Sequence, residues 1–296
     1  MRKFIKFLIG IGMLALIAGG IILGFAIKSN AFSREDIVTK ELVLEEDFDD
    51  IYIDVEVSDL TFELATDGVA KVVIKETEKR YNEVTIKDNK LSINTINTHK
   101  WYEQIFNFDW ERKSITVYLT KDVFNVLNIK DSTGDVTISN KFTFDSSVIE
   151  CSTGNIKLDA KVNNSVNVTS STGSINVSNK TLSGDLSIKS STGDVVLNNI
   201  TCANLNVDVD TGMVNINDLI TTNNFKVKSS TGSIVANNID GKFMDFKSST
   251  GDISILVLTP KTFNAKTSTG SVNCPNTTGE ECNIKTSTGD IVAKVK

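Results

Sequence analysis

A Thr-Gly dipeptide recurs through the second half of the chain at a nearly constant interval. Successive glycines of this motif are separated by 20, 19, 20, 19, 20, 19, 19 and 19 residues. Self-similarity at a fixed short period indicates one supersecondary unit that is stacked many times. The nine corner glycines of the motif are Gly134, Gly154, Gly173, Gly193, Gly212, Gly232, Gly251, Gly270 and Gly289.

Apolar residues alternate with polar ones on both sides of each corner glycine. Val or Ile stands two residues after the glycine in every copy, from Val136 to Ile291. Alternation with a period of two predicts strands, and a single unit cannot bury its apolar row alone. We therefore predict an all-β fold, a parallel β-solenoid of about nine or more coils of 19–20 residues. Residues 127–296 form its regular repeats, and residues 45–126 are expected to be degenerate coils that cap one end.

Each unit reads as a strand, a Ser-Thr-Gly corner, a second strand and a short turn such as Asn198-Asn199. A glycine at the corner supplies a backbone angle that a Cβ atom would disfavour. The rarity of proline, which occurs only twice in the chain, agrees with this β architecture because proline interrupts strand pairing.

An uncharged run of 21 residues, 7–27, follows three cations near the N-terminus. About 20 apolar residues are needed to cross a bilayer, whereas the apolar part of a signal peptide has roughly 7–15. We predict a single transmembrane helix, with residues 1–6 in the cytoplasm because cations favour that side. An acidic linker, 28–44, then leads to an extracytoplasmic domain at the cell membrane. Cleavage near Ala31 is the alternative, and it would give a secreted protein.

Charge and composition argue against several classes of function. The net charge is −6, and residues 35–63 hold twelve carboxylates against one lysine, so the basic field that nucleic acid requires is absent from the sequence. The repeats carry no insertions, and Asp follows the corner glycine only intermittently, which disfavours both paired catalytic carboxylates and a calcium ladder. One histidine and no CxxC motif disfavour a zinc site. We predict no enzyme activity, no catalytic residue, no metal and no cofactor.

The position four residues before the corner glycine is predicted to point outward, and it is a lysine in the last four copies. These lysines are expected one rung apart, and like charges that stack directly destabilise a sheet. An anionic partner, such as an acidic cell-wall polymer, would compensate this repulsion. The alternative is that the lysine heads splay into water and deter aggregation. The four residues are Lys228, Lys247, Lys266 and Lys285.

Residues 97–113 contain both tryptophans and the single histidine of the chain. Aromatic residues in a loop on a rigid scaffold often bind a partner. Trp101, Tyr102 and Trp110 are therefore candidate binding residues. A lid over the open end of the solenoid is the alternative role of this segment.

Two of the four cysteines, Cys274 and Cys282, fall at inward positions of consecutive half-coils. A proline and a Thr-Thr-Gly turn lie between them. This placement is compatible with a local disulfide or with two buried free thiols, and the sequence leaves both open.

The repeated Ser-Thr-Gly-Asp/Ser-Ile units, with the stretches 114–119 and 124–127 ahead of them, resemble the bacterial DUF4097 family of β-strand-repeat proteins. The resemblance covers about residues 45–296. It implies an envelope-associated solenoid of adhesin-like character and transfers no catalytic residues. Leu119-Thr120 departs from the Leu-Pro that relatives often have. The expected function is a cell-envelope scaffold or adhesion-like binding module. The alternative is an accessory in envelope-stress sensing that acts through a membrane protein partner.

Overall fold

The structure, a computed structural model, describes residues 2–28, 35–100 and 113–296. The described part contains one helix, α1, Arg2–Lys28. Its middle residues, 11–24, are exposed. Within the described residues, no helix has both the length and the hydropathy that a membrane span requires.

Seven strands precede the regular repeats. They are β1 Val38–Val43, β2 Asp50–Val57, β3 Asp59–Leu64, β4 Lys71–Glu76, β5 Arg80–Lys87, β6 Lys90–Asn97 and β7 Ser114–Leu119.

Eighteen further strands form the repeats, in pairs separated by the corner glycines. They are β8 Val123–Thr133, β9 Val136–Ile138, β10 Thr143–Thr153, β11 Ile156–Leu158, β12 Lys161–Thr172, β13 Ile175–Thr181, β14 Asp185–Thr192, β15 Val195–Cys202, β16 Asn204–Thr211, β17 Val214–Thr221, β18 Asn224–Thr231, β19 Ile234–Asp240, β20 Phe243–Thr250, β21 Ile253–Val257, β22 Lys261–Thr269, β23 Val272–Asn273, β24 Glu280–Thr288 and β25 Ile291–Val295.

These strands form two long sheets that face each other across the core. In the repeats, sheet 1 contains the strands that follow each corner glycine and has 13 strands in all, while sheet 2 contains the strands that precede it and has 12. Equivalent residues of neighbouring coils pair in parallel, as in the column Val136, Ile156 and Ile175. All three side chains are at most 1% exposed. The predicted parallel β-solenoid with a continuous apolar interior is confirmed.

The corner glycines allow neighbouring coils to approach more closely than any other residue would. Gly173 has φ +132°, and a Cβ atom added there would lie 2.0 Å from the carbonyl oxygen of Gly154. The same close approach repeats along the column of corner glycines. The solenoid has about eight turns, slightly fewer than the nine or more predicted. Counted from one corner glycine to the next, the nine corners enclose eight turns.

Four coils have a second corner, without glycine, inside the strand that follows the corner glycine. Asn179, Asn199, Asp218 and Asn238 have φ between 54° and 56° there. Asn and Asp tolerate this left-handed region better than other side chains do. The amide of Asn199 donates to the side-chain oxygen of Asn179 at 3.0 Å, so the predicted Asn-rich turn is also a ladder between coils.

The C-terminal coils do not stack in the order of the sequence. Strand β24 lies between β20 and β22, and β25 lies between β21 and β23, so residues 261–273 form the outermost coil. This arrangement places Ile284 and Ile291 in the interior, where they are at most 1% exposed, and leaves Val272 at the end with 46% exposure. Burying the larger apolar side chains favours this order.

The N-terminal end is organised differently. Strands β2 and β3 form the coil that stacks directly on β8 and β9. Strands β6 and β7 lie outside that coil, and antiparallel pairs of β5 with β6, β4 with β7 and β1 with β4 end the two sheets. The antiparallel strands therefore cover one end of the solenoid, while the other end is the parallel coil 261–273.

Candidate functional site

A groove of about 710 Å³ lies on the outer face of sheet 2, in the C-terminal half of the solenoid. Strands β16, β18, β20, β22 and β24 form its floor. Because side chains alternate along a strand, outward residues from adjacent coils line up in rows across these strands. The outward residues that line the groove are Asn204, Asn206, Asn224, Lys226, Phe243, Asp245, Lys247, Asn264, Lys266, Asn283 and Lys285.

Three residues of the predicted lysine column, Lys247, Lys285 and Lys266, line this groove, and Lys228 lies one rung beyond it. Lys228 pairs with Lys247, Lys247 with Lys285, and Lys285 with Lys266, so the four lie on adjacent rungs. All four are exposed, as predicted. Their order along the column differs from their order in the sequence, because β24 lies between β20 and β22. Lys285 consequently has a lysine on each side of it.

The cations of the column differ in their surroundings. The amine of Lys228 lies 3.1 Å from the carboxylate of Asp208, and that of Lys247 lies 2.6 Å from Asp245. Both pairs lie near the surface, where an ion pair contributes little. The charged residues that line the groove give its walls a net charge of +3; they are Lys226, Lys247, Lys266, Lys285 and Asp245. The groove is thus positive in a protein whose net charge is −6.

Phe243 is a groove residue that the sequence analysis missed. Its side chain is 53% exposed, and the amine of Lys242 lies 5.7 Å from the centre of its ring. It pairs with Asn224, one rung away in the same outward row. An aromatic residue in a row that is otherwise polar was the signal available in the sequence.

The polar residue after each corner glycine has a structural role. The carboxylate of Asp135 accepts a hydrogen bond from the backbone N–H of Asn155 at 2.7 Å, and that of Asp252 accepts from Asp290 N–H at 2.8 Å. A side chain of one coil thus accepts a hydrogen bond from a backbone N–H at the corner of the neighbouring coil. Among the described residues, no three His, Cys, Asp or Glu side chains cluster so as to hold a metal ion.

A buried carboxyl lies where the first regular coil meets the coil of β2 and β3. Asp131 is 1% exposed, and its Oδ2 has no hydrogen-bond partner among the described residues. Burial, together with the nearby carboxylates of Asp59 and Asp135, raises the pKa of Asp131 to about 7 against the opposing hydrogen bond from Thr133 N–H.

Among the buried lysines, Lys180 and Lys261 lie in the repeats. Burial lowers the pKa of Lys180 to about 8, and its amine donates to the carbonyl of Ser178. Lys261 is 1% exposed, and its amine contacts Asp240 at 2.7 Å and Glu280 at 2.9 Å. Burial lowers the pKa of Lys261, but hydrogen bonds to these two carboxylates outweigh burial and raise it.

The structure holds Cys274 and Cys282 as free thiols. Cys282 is buried, and burial raises its pKa to about 12, with Cys274 adding to the effect. A disulfide between them stays a prediction. Trp101, Tyr102 and Trp110 lie outside the described residues. Neighbouring His99 is described, and its Nε2 lies 2.7 Å from Glu35 Oε1.

Two solved structures from Parabacteroides distasonis are similar to the chain over 87% of its length. One is described as a "putative adhesin"; it is 14% identical, is covered over 98% of its own length and has a TM-score of 0.50. The other is described as a "putative lipid binding protein"; it is 16% identical, is covered over 97% and has a TM-score of 0.50. At these identities the two structures show a shared fold alone. No curated protein matches the sequence.

A family model described as Toastrack DUF4097 matches residues 48–218 and 201–296. The match includes all nine corner glycines and the whole of sheet 2 from β8 onward. The resemblance drawn from the Ser-Thr-Gly units is therefore confirmed, and the chain belongs to the Toastrack DUF4097 family.

Proposed function

We propose that the protein is a non-catalytic binding module of the cell envelope, which holds an anionic polymer along the groove of sheet 2. The column of four lysines on adjacent rungs is the observation that carries this proposal. Rungs stack about 4.8 Å apart, a distance at which unscreened like charges repel. A polyanion that runs along the column removes this repulsion, and each lysine near such a partner contributes about 1 kcal/mol.

The lysine pair at the end of the column is the best place to test the proposal. Lys266 and Lys285 are exposed, so glutamine at both positions keeps the polar surface and removes two charges. We expect the full-length chain with Lys266→Gln and Lys285→Gln to bind purified anionic cell-wall polymer about 30-fold more weakly. Added salt should weaken binding of the parent chain more than that of the variant.

The matched control removes the same charge from the other sheet. Lys157 and Lys294 lie on β11 and β25 in sheet 1, away from the groove. Lys157→Gln with Lys294→Gln should leave binding within about twofold of the parent, since screening limits distant charges. Equal losses in the two double variants would mean that net charge alone governs retention, and the proposed groove site would then be abandoned.

The proposal includes an anchor at the outer face of the cytoplasmic membrane. In the sequence, the uncharged run 7–27 has about the number of residues that a single span needs, and the cations before it favour a cytoplasmic N-terminus. Resistance of the full-length chain to alkaline extraction, together with protease access to its C-terminal domain on intact cells, would support this arrangement. Release of a domain that begins near Ala31 would instead support a secreted protein.

A scaffold and an accessory in envelope-stress sensing differ in what they require of this helix. A scaffold needs only to be held at the membrane, whereas an accessory must contact a membrane protein partner through the span. Replacing residues 7–27 with an unrelated spanning helix should leave polymer retention and envelope integrity unchanged. Loss of a stress response in that chimera, with polymer binding intact, would favour the accessory role.

A further inference from the structure

The proposed polymer groove contains more than cations, and the rest of its lining narrows the ligand. Phe243 is 53% exposed on the groove floor, Asn224 lies beside it on the adjacent rung, and Lys247 lies four residues further along the same strand. A single exposed aromatic residue is ordinary on a protein surface. An exposed aromatic ring inside a positively charged groove is a more specific combination, because the ring offers an apolar face next to groups that attract anions.

The asparagines of the groove are held in ladders that fix their orientation. Asn224 donates through Nδ2 to Asn204 Oδ1 at 2.8 Å, and Asn264 donates through Nδ2 to Asn283 Oδ1 at 3.1 Å. Each amide group carries two N–H donors and an oxygen with two lone pairs. The ladder bond uses one N–H of the donor amide, so a further N–H of Asn224 and of Asn264 remains available to hydroxyl groups in the groove.

We propose that the groove binds an acidic polysaccharide, with a sugar ring packed on Phe243, its hydroxyls bonded by the asparagine amides and its acidic groups paired with the lysines. This inference rests on the proposed function and specifies its ligand. The amine of Lys242 lies 5.7 Å from the centre of the Phe243 ring, so it places a cation near a sugar ring that packs on Phe243. An open-chain polyol phosphate would satisfy the lysines, but it has no ring whose C–H face could pack on Phe243.

The experiment compares two anionic polymers on the full-length chain. Polygalacturonate is a linear polysaccharide with one carboxylate on each sugar ring, and inorganic polyphosphate carries charge without rings or hydroxyls. We expect Phe243→Ala to weaken binding of polygalacturonate about tenfold, which is the effect of losing one aromatic contact. The same change should alter polyphosphate binding less than twofold, and Phe243→Trp should preserve polygalacturonate binding.

Control variants separate the possible reasons for a loss. Ile220 is 42% exposed but does not line the groove, so Ile220→Ala should affect neither polymer. The variant with Lys266→Gln and Lys285→Gln should weaken both polymers. Because Phe243 is largely exposed, its replacement should leave the thermal midpoint of unfolding close to that of the parent chain.

The outcomes distinguish this inference from the proposal beneath it. If Phe243→Ala leaves polygalacturonate binding unchanged while the lysine variant loses both polymers, the groove binds polyanions without reading sugar rings, and this inference is overturned alone. Equal loss of the two polymers in Phe243→Ala also overturns it. If the lysine variant keeps full binding of both polymers, the proposed function fails as well.

Discussion

Replacing Asp131 with serine should stabilise the solenoid above neutral pH. In several other coils the residue at this position, three before the corner glycine, donates a hydrogen bond to the corner carbonyl of the neighbouring coil. Thr286 donates to Gly251 O at 3.0 Å, for example. The corresponding carbonyl for Asp131 belongs to Ser58. A carboxylate can only accept hydrogen bonds, so Asp131 can donate a hydrogen bond to this carbonyl only when its carboxyl group is protonated.

The magnitude follows from the pKa of Asp131. The pKa of Asp131 is about 7 in the folded chain, against 3.8 for an ordinary aspartate such as that of the unfolded chain. The folded chain therefore binds the proton more tightly, and stability is lost as the pH rises from about 4 to about 7. At 1.36 kcal/mol for each pKa unit, the full loss is about 4 kcal/mol above pH 7. Asp131→Ser removes this loss and supplies the hydroxyl that other coils use.

Denaturant unfolding of the full-length chain, followed by circular dichroism at pH 4 and pH 8, measures the effect. The advantage of Asp131→Ser over the parent should grow by up to about 4 kcal/mol between the two pH values. Asp145→Ser, at an exposed carboxylate on β10, is the control and should show no such growth. The reverse change, Ser190→Asp, should introduce a loss at pH 8. An advantage of Asp131→Ser that is equal at both pH values would refute the reasoning.

Three further changes test the packing of the coils. Gly173→Ala should lower the free energy of unfolding by at least about 3 kcal/mol, because the new Cβ would lie 2.0 Å from a carbonyl oxygen. Gly68→Ala is the control: Gly68 also has a positive φ, +74°, but it faces open space, so the change should cost about 1 kcal/mol. Denaturation midpoints of the two variants test this difference. Lys180→Ile should raise the free energy of unfolding at pH 7 by up to about 3 kcal/mol, because it removes a buried charge. A pH series should show this gain shrinking from pH 8 to pH 10.5, since the folded parent loses the charge of Lys180 in that range. Lys261→Met should lower stability by about 2 kcal/mol and speed hydrogen exchange in β22, because the carboxylate of Asp240 loses its cation; unchanged exchange would contradict this role.

The apolar columns and corners were predictable because they follow from local rules. Alternation with a period of two assigns Val136 and its equivalents to the interior, and only glycine fits a corner where a carbonyl of the next coil lies so close. Nothing beyond the repeat itself is needed for either conclusion. The lysine column was predictable for the same reason, since its register is fixed by its distance from the glycine.

Features that depend on phase or on competition between similar coils were not predictable. Lys180 follows Asn179, whose φ of 56° turns the chain at the second corner, so the residue after it faces inward, in the row of Ile200. A simple count of alternation misses that change of phase. The last two coils carry the same corner motif, so the motif does not distinguish their order. Their order follows the size of their apolar side chains, since the coil that contains Ile284 is inside and the coil that contains Ala265 is at the end.

The insertion of β24 and β25 beneath the coil 261–273 changes what residues 280–295 contribute to the solenoid. A truncation before residue 280 would remove an internal layer instead of shortening the rod by its last one. The coil 261–273 would then lose the strands on which it rests, together with Glu280, a partner of the buried Lys261. During synthesis, the outermost layer therefore cannot reach its final position until residues 280–295, which follow it in the sequence, have left the ribosome.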